Sequence, residues 1–172
     1  MGKTLEFIIP FKGLSLGFHE FTYEVNDLFF EEIDYSQIKK GEVKVGLELE
    51  IQETMLTFNF KINGSVEVDC DRCLEAFDYP ISGNQQLFVQ LGESYKEETD
   101  EIIIIPKDDH EINIAPIIYE YIHLLLPLQK MHFDDENGKM TCNKKMLEKL
   151  NAISKEDQID PRWEILKKLK KD

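Results

Sequence analysis

The residues of this chain best suited to chemistry are Cys70-Asp71-Arg72-Cys73, a C-x-x-C pair. At this spacing a turn lets both thiolates point at one ion, which is half of a zinc knuckle; a closed tetrahedral site needs two further soft or borderline ligands. The chain supplies His132 and Cys142, both in the turn-rich stretch 129–143, so a Cys70, Cys73, His132, Cys142 set is stoichiometrically complete. Bound to zinc, it would staple the end of a strand to the C-terminal segment. Two other readings stay open at this point: a redox pair, and two unremarkable thiols. A thioredoxin-type pair belongs at a helix N-terminus after a strand, where the thiol pKa falls. Residues 74–80 read as irregular instead, so redox catalysis fits less well. With a third cysteine at 142 the count is odd, which suits a disulfide framework poorly.

No other motif assembles a reactive centre. Gly13-Leu14-Ser15-Leu16-Gly17 has the G-x-S-x-G form of a nucleophile elbow. That motif works only where a strand of a parallel sheet breaks into a helix, and strand-like alternation follows it here. It reads as a loop. Asn63-Gly64-Ser65 has the form of a glycosylation acceptor, which hairpin-turn chemistry explains fully. His19 and His110 have no arranged partners, and His123 falls mid-helix, where a structural role is expected. The absence of a catalytic constellation predicts a protein that is not an enzyme.

The elements that must position the cysteines form an α+β pattern. Val43, Val45, Leu47, Leu49 and Ile51 alternate with polar residues or glycine, the period of a half-buried strand. Leu56, Phe58, Phe60 and Ile62 repeat it, Asn63-Gly64 offers a tight hairpin turn, and Val66, Val68 and Cys70 alternate beyond. The reading is three sequential antiparallel strands over residues 42–71, a meander. Leu5 to Ile9, Phe18 to Val25, Leu87 to Leu91 and Ile102 to Ile105 are further strand candidates. Asn26 can cap a short helix over 27–35. Residues 113–126 predict one long helix, with Asn113 as cap, Pro116 in the first turn and Pro127 as stop. Residues 144–150 suggest a helical turn or two, and Asp160-Pro161 the start of a final short helix. Residues 92–101 are acidic and aperiodic, and read as a flexible exposed loop. The expected architecture is a single domain over 1–172, a mainly antiparallel sheet with one long packed helix and short C-terminal helices.

Charge narrows the partners. Acidic residues outnumber basic ones 34 to 20 in 172 residues, a formal net charge of −14, so the surface as a whole is unsuited to phosphate. Residues 161–172 reverse the sign: Arg162, Lys167, Lys168, Lys170 and Lys171 face two acidic residues, a local charge of +3. Phosphate contact, if it occurs, is expected through this tail and Arg72, while the body repels RNA or engages basic proteins; composition alone favours a solvated terminal helix whose lysines complement its own dipole. No apolar run is long enough to cross a bilayer, and the first six residues hold no stretch of signal-peptide length. The expected compartment is the cytoplasm.

Val66-Glu67-Val68-Asp69-Cys70-Asp71-Arg72-Cys73-Leu74-Glu75 resembles the C-x-R-C-L core of the YceD-like family, the large ribosomal RNA subunit accumulation proteins. Leu124-Leu125-Leu126-Pro127-Leu128, with His132 and Cys142 downstream, resembles its second block. Asp160-Pro161-Arg162-Trp163 with Leu166 to Leu169 resembles its C-terminal signature. Where many members carry several cysteines after the long helix, this chain has Cys142 alone. The resemblance implies a non-enzymatic ribosome-biogenesis factor supporting large-subunit rRNA accumulation or processing. Its partner would be the pre-ribosomal large subunit, through rRNA or ribosomal proteins; zinc as a cofactor rests on the Cys70, Cys73, His132, Cys142 set. It also adds Trp163 to the contact residues of the tail. Alternatives from other classes are an acidic adaptor for ribosomal proteins and a C-x-x-C thiol redox protein.

Overall fold

The computed structural model describes residues 4–99, 101–133 and 141–154. The backbone divides into two compact units, Met1–Asp69 with Ala76–Lys130, and Cys70–Glu75 with Met131–Asp172.

The first unit is built on a six-stranded sheet. In chain order its two sheets comprise β1 (Ile8–Ile9), β2 (Gly17–Val25), β3 (Gly41–Ile51), β4 (Met55–Asp69), β5 (Ala76–Gly92), β6 (Lys96–Thr99), β7 (Ile102–Pro106) and β8 (Ile112–Asn113). The large sheet runs β2-β3-β4-β5-β7-β6, and β1 pairs with β8 separately. All neighbours are antiparallel except β5 and β7, which run parallel, so the sheet is mixed. Helix α1 (Asp27–Glu31) follows β2, and α2 (Ala115–Leu124) follows β8.

The alternation of β3 puts Val43, Val45, Leu47, Leu49 and Ile51 on one face, all buried. Opposite them in register stand Gly64, Ile62, Phe60, Phe58 and Leu56 of β4. The next column, on β5, presents Leu87 and Val89. Helix α2 covers this face: the Tyr121 ring meets Phe60 at 5.3 Å, and its hydroxyl donates to the Gln86 carbonyl at 3.3 Å. Gly83 leaves room for Leu125, whose methyl group would overlap a Cβ there. A slip of one residue would turn this whole apolar set to solvent, so the register is tightly specified.

Four expectations need correction. Asn63-Gly64 is not a turn: it lies inside β4, which runs fifteen residues without a break. Every even-numbered residue from Leu56 to Val68 apart from Gly64 is buried, a parity one continuous strand satisfies. Gly64 serves packing, because a Cβ there would overlap the Glu42 carbonyl and Val43 Cα. Residues 76–80 are not irregular, since β5 starts at Ala76. Pro80 is tolerated because it pairs with Ser65 on one side only; β7 joins β5 later, from Phe88. The acidic stretch 92–101 contains β6, whose residues are all exposed. Finally, α2 spans ten residues rather than 113–126, and the eleven-residue helix α3 (Lys144–Ser154) is as long. Asn113 still accepts a hydrogen bond from the Ala115 amide at 3.0 Å, one place before the formal cap, Ile114.

Asn26 caps α1 as expected, accepting from the Leu28 amide at 3.1 Å. Residues 14–16 form a loop between a 3-10 turn ending at Gly13 and β2, where the G-x-S-x-G sequence shapes no elbow. His123 donates through Nδ1 to the Tyr119 carbonyl at 3.0 Å, an intrahelical bond of structural kind. Among the described residues no helix is long and apolar enough to cross a membrane.

Candidate metal centre

The second unit is built around a turn. Residues 70–75 leave β4 and return to β5 through two backbone bonds of 2.9 Å, from Leu74 N–H to the Cys70 carbonyl and from Cys70 N–H to the Glu75 carbonyl. Leu74 sits at φ 60°, the left-handed region that L residues with a Cβ rarely occupy. That conformation closes the turn and leaves both cysteine side chains on its inner side, Cys70 and Cys73 being almost wholly buried.

The other ligands arrive from 131–133 and 141–154. Thr141 Oγ1 donates to the Phe133 carbonyl at 2.7 Å and so ties the residue after His132 to the residue before Cys142. Asn143 then starts α3. Its Oδ1 accepts from the amides of Lys145 at 2.9 Å and Met146 at 3.3 Å, an N-cap bond pair. Its Nδ2 donates to Glu75 Oε1 at 2.5 Å. One side chain thereby fixes the start of α3, next to Cys142, to the end of the C-x-x-C turn.

These elements bring Cys70, Cys73, His132 and Cys142 together, with all ligand atoms within 4.8 Å of one another. Cys70 Sγ lies 3.9 Å from Cys142 Sγ, Cys73 Sγ lies 3.5 Å from His132 Nδ1, and Cys142 Sγ lies 3.8 Å from the same nitrogen. A tetrahedral ion with metal–sulfur distances of roughly 2.3 Å and metal–nitrogen distances of roughly 2.0–2.1 Å sets sulfur–sulfur separations of about 3.8 Å and sulfur–nitrogen separations of about 3.6 Å. The donor set and its spacing fit a zinc ion with His132 ligating through Nδ1.

The electrostatics favour a cation. Burial pushes the Cys70 thiol up, but amide donors from Cys73, Arg72 and His132, with the His132 ring, outweigh it and lower the pKa to about 6. Burial also raises Cys142, to about 11, reinforced by Cys70 and Cys73 beside it. One thiol in the cluster is thus held as thiolate near neutral pH, and a second keeps its proton until something replaces it.

A family model described as "Large ribosomal RNA subunit accumulation protein YceD" matches residues 58–170, well over half of the chain. The chain belongs to the YceD family. It is also 30% identical over 152 residues to the uncharacterized protein YlbN of Bacillus subtilis (strain 168), covering 87% of this chain and 86% of that one. No solved structure matches the chain. The matched region of this YceD-family chain contains all four clustered residues.

The remaining expected site residues divide in two. Arg72 is exposed on the turn and donates its amide to the Cys70 sulfur, so its backbone serves the cluster. Arg162, Trp163, Lys167, Lys168, Lys170 and Lys171 lie outside the described residues. Asn143 and Glu75 were not singled out from the sequence. A signal for Asn143 existed: an asparagine directly before Lys144-Lys145-Met146-Leu147-Glu148 reads as an N-cap. Nothing local in sequence points to its bond with Glu75.

Proposed function

We propose that this YceD-family protein is a non-enzymatic factor for accumulation of large-subunit ribosomal RNA whose C-terminal unit is held together by a zinc ion on Cys70, Cys73, His132 and Cys142. The observation that carries the metal is the cluster of three buried cysteines and one half-buried histidine, with all ligand atoms within 4.8 Å of one another. Four protein ligands close the coordination shell, which is the pattern of a structural site; a catalytic zinc keeps one position for water or substrate. The rRNA role rests on the family. Within it, the basic residues Arg162, Lys167, Lys168, Lys170 and Lys171, with Trp163 and Arg72, are the groups to contact pre-ribosomal large-subunit RNA, because the rest of the chain is strongly acidic. A cytoplasmic location follows from that partner.

A thiol redox reading draws on the low Cys70 pKa. It is the weaker one: the turn after Cys70 runs into β5, so no helix N-terminus stands behind the pair. Metal analysis of the purified chain, combined with co-sedimentation against large-subunit precursors over a salt series, tests the proposal. One zinc per chain, lost in Cys73→Ser, is expected, as is salt-sensitive association that weakens on truncation after residue 160. Stoichiometric zinc without any association would leave the metal standing and remove the RNA role. Association unchanged by truncation would move the contact off the tail.

A further inference from the structure

The two edges of the large sheet are treated differently. β6, at one edge, is four residues long, wholly exposed, carries Lys96, Glu97 and Glu98, and has a register shift between Glu97 and Thr99. Short length, charge and irregularity are how edges are blunted against strand addition. β2, at the other edge, is neither short nor irregular, and its only carboxylates are Glu20 and Glu24. It is nine residues long, pairs with β3 without a shift from Gly17↔Ile51 to Val25↔Val43, and contains neither proline nor lysine. Among the described residues no backbone group bonds to its outer side. Alternate residues of β2 therefore hold amide and carbonyl groups outward, a template for another strand.

Side chains next to that edge state what kind of strand fits. The solvent-facing column of β2 is Phe18, Glu20, Thr22 and Glu24, all exposed. In register behind it, Glu20 faces Glu48 directly. Like charges opposite each other destabilise a sheet, and no ion pair to Glu20 forms among the described residues. In the next row Gly46 stands between Thr22 and Lys61 with no side chain. The result is a shallow hollow of about 630 Å³, whose charged lining is three carboxylates, Glu20, Glu48 and Glu101, against one cation, Lys61. A cationic side chain in the added strand would lie beside Glu20 and reach this hollow, relieving the repulsion.

We propose that the β2 edge is a docking site for an extended segment of a partner protein bearing lysine or arginine at alternate positions, which joins the sheet as a seventh strand. A second copy of this chain is a poor occupant, since β2 against β2 would gather the Glu20 and Glu24 carboxylates of both copies along one seam. RNA is poorer still, because carboxylates line the approach. The inference does not depend on the metal at the cysteine cluster.

The test is amide hydrogen exchange on the full chain, with and without a synthetic octapeptide of alternating lysine and threonine. A glutamate–threonine octapeptide and a uridine oligonucleotide serve as controls. Outward β2 amides should exchange quickly in the free chain and at least ten-fold more slowly with the lysine peptide, and with neither control. Glu20→Lys combined with Glu24→Lys should weaken the peptide at least ten-fold, while Glu97→Lys combined with Glu98→Lys at the blunted edge leaves it unchanged. Equal losses in both double variants would mean diffuse attraction and overturn the proposal. So would slow β2 exchange in the free chain, protection by the oligonucleotide, a dimer at the β2 edge in sedimentation, or peptide binding without β2 protection.

Discussion

The two units of the molecule bury very different side chains. The sheet unit buries a continuous apolar cluster, from Phe7 and Ile9 through the β3 and β4 columns to Ile118 and Ile122 of α2. In the second unit, among the described residues, the buried ones are Cys70, Cys73 and Cys142 and nothing else. Its helix α3 keeps Met146 and Leu147 only half-buried, with Leu150 and Ile153 exposed. An eleven-residue helix is marginal by itself in water. One unit is thus stabilised by many small burial terms that partly substitute for one another; the other, with the zinc proposed above, would rest on four ligand atoms and a few hydrogen bonds. The lesson is about failure: the first should lose stability gradually with damage, the second all at once.

Removing the proposed metal gives the sharpest break of that contrast. Structural zinc sites carry apparent binding free energies of about 10–16 kcal/mol at neutral pH, most of it folding free energy. Chelation, or Cys73→Ser, should therefore abolish amide protection in α3 while β3, β4 and β5 keep theirs. Hydrogen exchange resolved by segment reads both at once. Loss of protection across the sheet as well, or none in α3, would mean the units are not stabilised separately.

The reciprocal experiment is Phe58→Ala. Phe58 is fully buried and pairs across the sheet with Leu49 and Leu87. Truncation of a buried phenylalanine costs about 3–5 kcal/mol. Denaturant unfolding followed by the tyrosines of the sheet unit should report that loss, with zinc content unchanged at one per chain. Zinc lost in proportion would tie the cluster to the core.

Legibility from sequence followed the same division. β3 was readable because its alternation is unbroken and its face wholly apolar. That Cys70, Cys73, His132 and Cys142 come together was readable because cysteine and histidine are rare enough here that few combinations exist. Asn63-Gly64 misled because its local turn preference is strong, while the reason for Gly64, a close approach of β3 backbone, is a tertiary fact. Pro80 misled in the same way: proline argues against a strand unless one side is free, and that freedom depends on where β7 joins. Leu74 at positive φ has no signal at all, leucine being a poor residue for it. Local propensity was right where it agreed with the long-range pattern and failed where packing overruled it.

Proton competition sharpens the picture of the cluster itself. Cys70, lowered to about 6, is already thiolate at neutral pH in the metal-free chain, whereas Cys142, raised to about 11, is protonated. Zinc uptake at pH 7 must then displace the Cys142 proton. Affinity should rise with pH, by about ten-fold per pH unit for each thiol proton displaced, and fall more steeply once the pH drops below about 6 and Cys70 takes a proton too. Calorimetric titration in buffers of different ionisation heat measures the protons released. A flat affinity between pH 6 and 8 would show that Cys142 is not a ligand.

The smallest effect concerns Asn143, and it asks whether the second unit has any stability beyond its metal. Asn143→Ala removes the cap on the Lys145 and Met146 amides together with the bond to Glu75. Loss of an N-cap asparagine costs about 1 kcal/mol, and the exposed Glu75 bond adds little because water replaces it. Against a metal term near ten times larger, the variant should still bind one zinc. Its first-turn α3 amides should exchange about five-fold faster, following from that 1 kcal/mol. The effect should also be conditional. With zinc bound, the ligands hold Cys142 in place and the helix start frays locally; with zinc removed, wild type and variant should exchange alike, because there is no longer a folded α3 for the cap to stabilise. If Asn143→Ala instead lost zinc outright, the hydrogen bonds from α3 to the C-x-x-C turn would be holding the ligands in place, and the metal would be the consequence of the second unit's fold and not its cause.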